Sequence, residues 1–96
     1  MESAARFLAD VPLDEAFRTC NGVVIRNLSE LKNYLEGCSE YDFRYHVNAD
    51  HFKNDFAIWV HEVVRDEALA HELDGVLDRS WYVHKVAQRL RDLNSS

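Results

Sequence analysis

The sequence predicts a small α+β domain, mainly α-helical, in which a short N-terminal β-hairpin packs on four or five short helices. Two local patterns and the chain length indicate this fold class. An Asn-Gly pair joins two short runs of β-forming residues, and farther along the chain apolar residues recur every three or four positions. The 96 residues, 47% of them hydrophobic, suffice for one core and leave no room for a second. We therefore expect residues 1–96 to form a single domain.

The two ends of the chain are expected to be less ordered than its body. Residues 1–12 predict a loosely ordered arm, although Phe7 and Leu8 could pack against the core, and residues 94–96 predict a frayed end. The opening residues contain no long apolar run, so we expect neither a secretory signal nor a membrane span.

The predicted hairpin has strands near residues 17–20 and 23–26. Asn21 and Gly22 form its expected two-residue turn, because both residue types accept a positive φ angle. A helix that begins at Pro12 and ends before Gly22 is the alternative, since proline is favoured at a first helical position. We favour the hairpin.

A helix is expected to follow the hairpin. Asn27 can cap its first turn while Glu30 reaches back, and Gly37 offers a left-handed exit. Its apolar side consists of Leu28, Leu31 and Leu35. Residues 39–48 then alternate aromatic and polar side chains as a strand does, but Ser39 with Asp42 resembles a helix cap. For this segment we favour a short helix or a turn.

The second half of the chain predicts three helices. The first begins after Asn54, and its apolar side consists of Phe56, Trp59, Val60, Val63 and Val64. Asp66 can cap a short helix that Gly75 ends. Asp78 or Ser80 begins the last helix, whose core side is expected to contain Val83, Val86, Ala87 and Leu90.

The stretch HVNADHFKNDFAIWV, residues 46–60, allows two interpretations. His46, His51 and Asp55 are residue types that bind metal ions or small ligands. Alternatively, Asn54 and Asp55 begin a helix, and His46 donates a hydrogen bond to Asp55 that favours the charged imidazole. We favour the helix start and expect no metal ligands. Ligand binding centred on His46, His51 and Asp55 stays open as the alternative.

The last helix carries a candidate docking ridge. Trp81, Lys85 and Arg89 recur every four residues, and Tyr82 adjoins them. Tryptophan, tyrosine and arginine are enriched in interface hot spots, so this ridge is our candidate for partner binding. The alternative is that Trp81 only covers the edge of the core.

Charge and missing motifs narrow the function. The net charge of −6 argues against nucleic acid, and no glycine-rich phosphate loop or flanked nucleophile is visible, so we expect no catalytic residues and no cofactor. Cys20 and Cys38 form no CxxC pair and are expected to be free thiols of the cytoplasm. The sequence therefore predicts a non-enzymatic, cytoplasmic interaction or regulatory module that docks a protein partner or a second copy of itself.

Spaced residues across the chain resemble a known family. The segments FRYHV, NDFAIWV and RDEALA contain Phe-x-x-His, Asp-Phe-x-x-Trp and Asp-x-x-Leu-Ala patterns. Together with the glycine turn and the leucine-rich helix, they resemble a family of small prokaryotic domains of unknown function over residues 17–93. The matching positions are Phe17, Gly22, Leu28, Leu31, Phe43, His46, Asp55, Phe56, Trp59, Asp66, Leu69 and Ala70. The resemblance implies a shared fold and no activity.

Overall fold

The computed structural model describes residues 4–95 of the chain, which form six α-helices and two short antiparallel strand pairs. The elements are α1 (Ala4–Leu8), a single 3-10 turn (Leu13–Glu15), β1 (Phe17–Arg18), β2 (Val24–Ile25), α2 (Leu28–Gly37), α3 (Glu40–His46), β3 (Val47–Asn48), a second 3-10 turn (Ala49–His51), β4 (Lys53–Asn54), α4 (Asp55–Trp59), α5 (Glu67–Leu73) and α6 (Arg79–Asn94). The predicted α+β, mainly α class is confirmed. Every helix within this part of the chain is too short or too polar to span a lipid bilayer.

The N-terminal hairpin is present, but its turn differs from the prediction. Phe17 pairs with Ile25, and the amide of Thr19 donates to the carbonyl of Val23 at 2.9 Å. The amide of Gly22 donates to the carbonyl of Thr19 at 3.0 Å, so the loop has three residues, 20–22, and the predicted two-residue turn is wrong. Only Gly22, at φ +87°, needs a positive φ angle in this loop. The alternative helix from Pro12 is reduced to the single turn Leu13–Glu15.

The cap of α2 forms as predicted, and its exit does not. Asn27 Oδ1 accepts the amide of Glu30 at 2.8 Å, and the Glu30 carboxylate accepts the amide of Arg26 at 2.8 Å. Gly37 is the last helical residue and has no positive φ angle, so the predicted left-handed exit is wrong. The chain leaves α2 in an extended conformation at Cys38 because the next residue already caps α3.

Residues 39–54 form a helix and a small hairpin. Ser39 Oγ accepts the amide of Asp42 at 3.1 Å and begins α3, which confirms the favoured interpretation of this segment. Val47 then pairs with Asn54, so β3 and β4 enclose the second 3-10 turn and Phe52. The sequence did not predict this second strand pair, because a strand of two residues carries too little periodicity to detect.

The helices of the second half begin where their caps predict. Asn54 Oδ1 accepts the amide of Ala57 at 3.3 Å and begins α4, which continues as one wider π-helical turn over Val60–Val64. Asp66 accepts the amide of Leu69 at 3.2 Å to begin α5. Asp78, not Ser80, caps α6 through the amide of Trp81 at 3.0 Å.

The core lies between α2 and α6 and is rich in aromatic rings. Phe43, Phe56 and Tyr82 are completely buried, and the indole N–H of Trp59 donates to the carbonyl of Glu15 at 2.9 Å. The buried side of α6 consists of Tyr82, Val86, Leu90 and Leu93. Val83 and Ala87, which were expected in this set, are only partly buried. The core side of the helix is therefore rotated slightly from the prediction.

The expected arm, residues 1–12, is described from residue 4 onward. Ala4–Leu8 is helical and packs against α6 and α2, with Phe7 and Leu8 partly buried on the core. Val11 is buried, and its amide donates to the carbonyl of Arg26 at 2.8 Å. Residues 1–3 and residue 96, which belong to the predicted arm and frayed end, lie outside the described residues.

Candidate functional site

His46 lies at the end of α3 and is almost completely buried among aromatic rings. Its Nε2 atom accepts the backbone amide of Cys20 at 3.0 Å, and its Nδ1 atom lies 3.0 Å from Asp55 Oδ2. A backbone amide can only donate, so Nε2 carries no proton and Nδ1 donates to the carboxylate. The ring therefore joins the first hairpin loop to the start of α4.

These two hydrogen bonds bear on the expected interaction of His46 with Asp55. The sequence predicts that Asp55 favours the charged imidazole, but a protonated ring would place a second N–H against the amide of Cys20. The hydrogen bonds fit the neutral ring. Lys53 supplies a charge to the carboxylate, with its Nζ atom 3.4 Å from Asp55 Oδ2 and 4.5 Å above the ring of Tyr45.

The structure brings together two of the three predicted ligand residues. His46 and Asp55 are in contact, whereas His51 lies exposed in the second 3-10 turn. Among residues 4–95, no three side chains of His, Cys, Asp or Glu lie close enough to hold a metal ion. Both ring nitrogens of His46 are already engaged within the protein. His46 and Asp55 therefore form a hydrogen-bonded corner, and His51 lies apart from it.

Cys20, His46 and Asp55 superficially resemble the parts of a nucleophilic triad. The histidine nitrogen that would act as base accepts the Cys20 amide, and the Cys20 thiol instead lies 3.7 Å from Asp42 Oδ1. Desolvation and the negative charge of Asp42 raise the pKa of the Cys20 thiol. Burial likewise raises the pKa of Cys38. Thiols with raised pKa values form little of the reactive thiolate at neutral pH.

The predicted ridge of α6 divides into surface and core residues. Trp81 is 58% exposed, with its ring edge-on to His84, and Lys85 lies 3.9 Å from Glu72. Tyr82 is completely buried, so it offers no side-chain surface to a partner in this structure. Burial raises the pKa of Tyr82 well above its usual value, and its hydroxyl donates to Asn54 Oδ1 at 2.6 Å.

Arg89, the fourth predicted ridge residue, is half-buried and forms an ion pair within the domain. Its Nε and Nη2 atoms donate to the carboxylate of Asp66, which is buried. A second arginine that the sequence did not single out has a similar structural role. Arg79 Nη1 donates to the carbonyl of Leu35 at 2.9 Å, near the end of α2, and its Nε atom to Glu40 at 3.2 Å.

The most exposed large apolar residue of the described chain lies elsewhere. Phe52 is 96% exposed, and its backbone adopts the left-handed conformation, with φ 51° and ψ 38°. Its amide donates to the carbonyl of Ala49 at 3.2 Å, which closes the second 3-10 turn. Ile58, on the outer side of α4, is also 58% exposed. The sequence did not identify these residues, because the residue type alone does not distinguish an exposed Phe or Ile from one in the core.

Phe52 and Ile58 border an open groove of about 670 Å³ along α4 and α5, here called the Phe52 groove. Its lining includes the apolar residues Phe52, Ile58 and Ala70, the carboxylates of Glu62, Glu67 and Asp74, and the imidazoles of His61 and His71. Asn54 also lines the groove, and its side chain forms three hydrogen bonds within the domain. Its amide donates to the carbonyl of Leu73 at 2.9 Å, while its oxygen accepts from Ala57 and Tyr82.

Fold and site define a small, mainly helical α+β domain with a buried histidine corner and one open, partly apolar groove. The sequence profile of DUF5752, a family of unknown function, matches residues 17–93, and the chain belongs to this family. No curated protein and no solved structure gives a significant match. The membership confirms the resemblance to a small domain family of unknown function.

Proposed function

We propose that this domain is a non-enzymatic protein-interaction module of the cytoplasm and that it docks its partner in the Phe52 groove. The observation that carries the proposal is the state of Phe52, whose ring is 96% exposed while its backbone is left-handed. Such a conformation costs a bulky residue on the order of 1 to 3 kcal/mol, and glycine would avoid that cost. Packing inside the domain does not explain an aromatic residue at this position.

The surroundings of Phe52 resemble an interaction surface. Ile58 adds exposed apolar area on the same groove, and polar side chains of α4 and α5 form its border. Binding energy at interfaces concentrates in a few aromatic or aliphatic anchors inside a polar rim. Trp81 is a second exposed aromatic residue and lies on α6. Tyr82 and Arg89, however, form hydrogen bonds within the domain, so we rank the surface of α6 below the groove.

The chemistry of the described cysteines supports a non-enzymatic role. The thiols of Cys20 and Cys38 have raised pKa values, and the Nε2 atom of His46 is not free to accept a thiol proton. Both thiols are free, which fits a reducing compartment such as the cytoplasm. The alternative, a ligand site centred on His46, His51 and Asp55, is less favoured because its central imidazole has no free nitrogen.

Site-specific photo-crosslinking in the native host tests the proposal. The photoreactive residue p-benzoylphenylalanine replaces Ile58 in the groove, Trp81 on α6, or Ser29 on the outer side of α2 as the matched control. We expect position 58 to give a discrete crosslinked product, identified by mass spectrometry, and position 29 to give none. Crosslinks from position 81 alone would overturn the groove as the docking surface. Equal labelling at all three positions, or none at any of them, would overturn the interaction function.

A further inference from the structure

We propose that the occupant of the Phe52 groove is a basic segment of another protein, in which one or two apolar side chains lie between lysines or arginines. This inference rests on the proposed function and adds the chemistry of the partner. It follows from the charges that line the groove, from its apolar border, and from the charge of the whole chain.

Three carboxylates line the groove, and no lysine or arginine is among the described residues that line it. The carboxylates belong to Glu62, Glu67 and Asp74, and the lining also contains His61 and His71. His61 lies 3.5 Å from Glu62 and 4.0 Å from Glu67. Both glutamates are mostly exposed. Cationic side chains of a partner would therefore meet three carboxylates there.

The same groove offers space and anchors for apolar side chains. Phe52 and Ile58 project from its border, and the small side chains of Ala57 and Ala70 leave room between α4 and α5. Its volume of about 670 Å³ accommodates several side chains. A purely polar cationic peptide would leave this apolar surface uncovered, so the occupant needs both features.

The charge of the chain disfavours a second copy as the occupant. The net charge is −6, and the same acidic groove would face another acidic domain. Two of the three arginines of α6, Arg79 and Arg89, are already paired with Glu40 and Asp66, and Arg91 is the third. Like charges facing each other across an interface suppress association. A different, basic chain therefore fits the groove better.

The first test uses three short fluorescent peptides and the complete domain. One peptide combines leucine with lysine, the second leucine with glutamate, and the third serine with lysine, and binding is measured by fluorescence anisotropy. We expect the leucine-lysine peptide to bind about tenfold more tightly than either of the others, and its affinity to fall as salt is added. In NMR spectra it should shift the amides of residues 52, 58 and 70. Absence of binding, or equal binding of the leucine-glutamate peptide, would overturn the inference.

Two double variants with the same change in net charge locate the effect. Glu62→Gln with Asp74→Asn removes two charges from the groove, and Ser29→Lys with Asn33→Lys adds two cations on the outer side of α2. We expect the groove variant to weaken binding of the leucine-lysine peptide about fivefold and the α2 variant to leave it nearly unchanged. Equal weakening in both would overturn a local site. A crosslinked partner at position 58 without a basic segment would overturn this inference and leave the proposed function standing.

Discussion

Arg89 and Asp66 form a two-pronged ion pair between α6 and the start of α5. Arg89 Nε lies 2.7 Å from Asp66 Oδ2, and Nη2 lies 3.0 Å from Oδ1. Asp66 is only 1% exposed, and the same carboxylate accepts the amide of Leu69 as the cap of α5. The pair therefore fixes where α5 begins and how it lies on α6.

Removing Arg89 is expected to destabilise the domain strongly. Arg89→Met should lower the free energy of unfolding by about 2 to 4 kcal/mol, because Asp66 would remain buried without its partner. Lys85→Met, four residues earlier on the same helix, should cost less than about 1 kcal/mol, because Lys85 makes only a long, exposed contact with Glu72. Urea denaturation measures both values. Similar losses in the two variants would contradict a structural role for the Arg89 pair.

Relief of the strained backbone at Phe52 is expected to stabilise the domain. Phe52→Gly should raise the free energy of unfolding by about 1 kcal/mol, because glycine accepts φ 51° freely and the lost ring is already in solvent. Phe52→Ala keeps the strain and should stay within about 0.5 kcal/mol of wild type. The two variants are compared by urea denaturation. A glycine variant no more stable than the alanine variant would show that the strain is absent in solution.

The hydrogen bonds of His46 predict one tautomer. Long-range ¹H–¹⁵N NMR spectra at mildly alkaline pH should show a protonated Nδ1 and a bare Nε2. His46→Ala should lower the free energy of unfolding by about 2 to 4 kcal/mol, because it opens a cavity and leaves the Cys20 amide without its acceptor. A proton on Nε2, or an alanine variant of unchanged stability, would contradict the proposed hydrogen bonds.

Alkaline pH is expected to destabilise the domain through its buried tyrosines. Burial raises the pKa of Tyr34 from 10.0 to about 12. Burial also raises the pKa of Tyr82, so the folded state favours the neutral phenol of both residues. The resulting stability is complete below pH 10 and is lost as pH rises toward about 12. For Tyr34 this contribution is on the order of 2 kcal/mol.

Tyr34→Phe isolates the tyrosine contribution. The variant lacks the hydroxyl that donates to Asn21 Oδ1 at 3.1 Å, so it should be slightly less stable than wild type at neutral pH. Between pH 10 and about 12 its stability should fall less steeply, because one titrating group has been removed. Thermal unfolding in the presence of a reductant measures both slopes. Parallel slopes for wild type and variant would contradict the role of Tyr34.

Helix starts could be predicted from the sequence because a cap needs only a few neighbouring residues. Asn27, Ser39, Asn54, Asp66 and Asp78 each accept an amide two or three residues inside the following helix. The cap interaction is short in range, so sequence spacing alone carries it. The first hairpin was predicted for the same reason, since Gly22 alone can supply its positive φ angle without strain.

Features that depend on distant residues were predicted poorly. The end of α2 depends on two residues outside it. Ser39 caps the next helix, and Arg79, more than forty residues away, donates to the Leu35 carbonyl. Tyr82 was assigned to the surface because it adjoins Trp81 in sequence, although a helix turns adjacent side chains about 100° apart. Its hydroxyl is satisfied by Asn54, and only the folded structure places that partner within reach.

The candidate site was only partly accessible from sequence. The contact of His46 with Asp55 was predicted, because both residues lie near the start of α4. The second partner of the imidazole, the Cys20 amide, comes from a loop 26 residues earlier and could not be predicted from the sequence. Phe52 carries no signal in a linear pattern, because exposure and backbone conformation arise only when β3 and β4 pair.

The three hydrogen bonds of Asn54 hold four elements of the fold together. They tie β4, the beginning of α4, the end of α5 and the first turns of α6 to a single amide group. The spacing between α4 and α5 is thereby set before anything enters between them. A partner segment that binds between these helices would have to adapt its conformation to a groove of fixed width. Most of the conformational entropy lost on binding would therefore be lost by the partner segment.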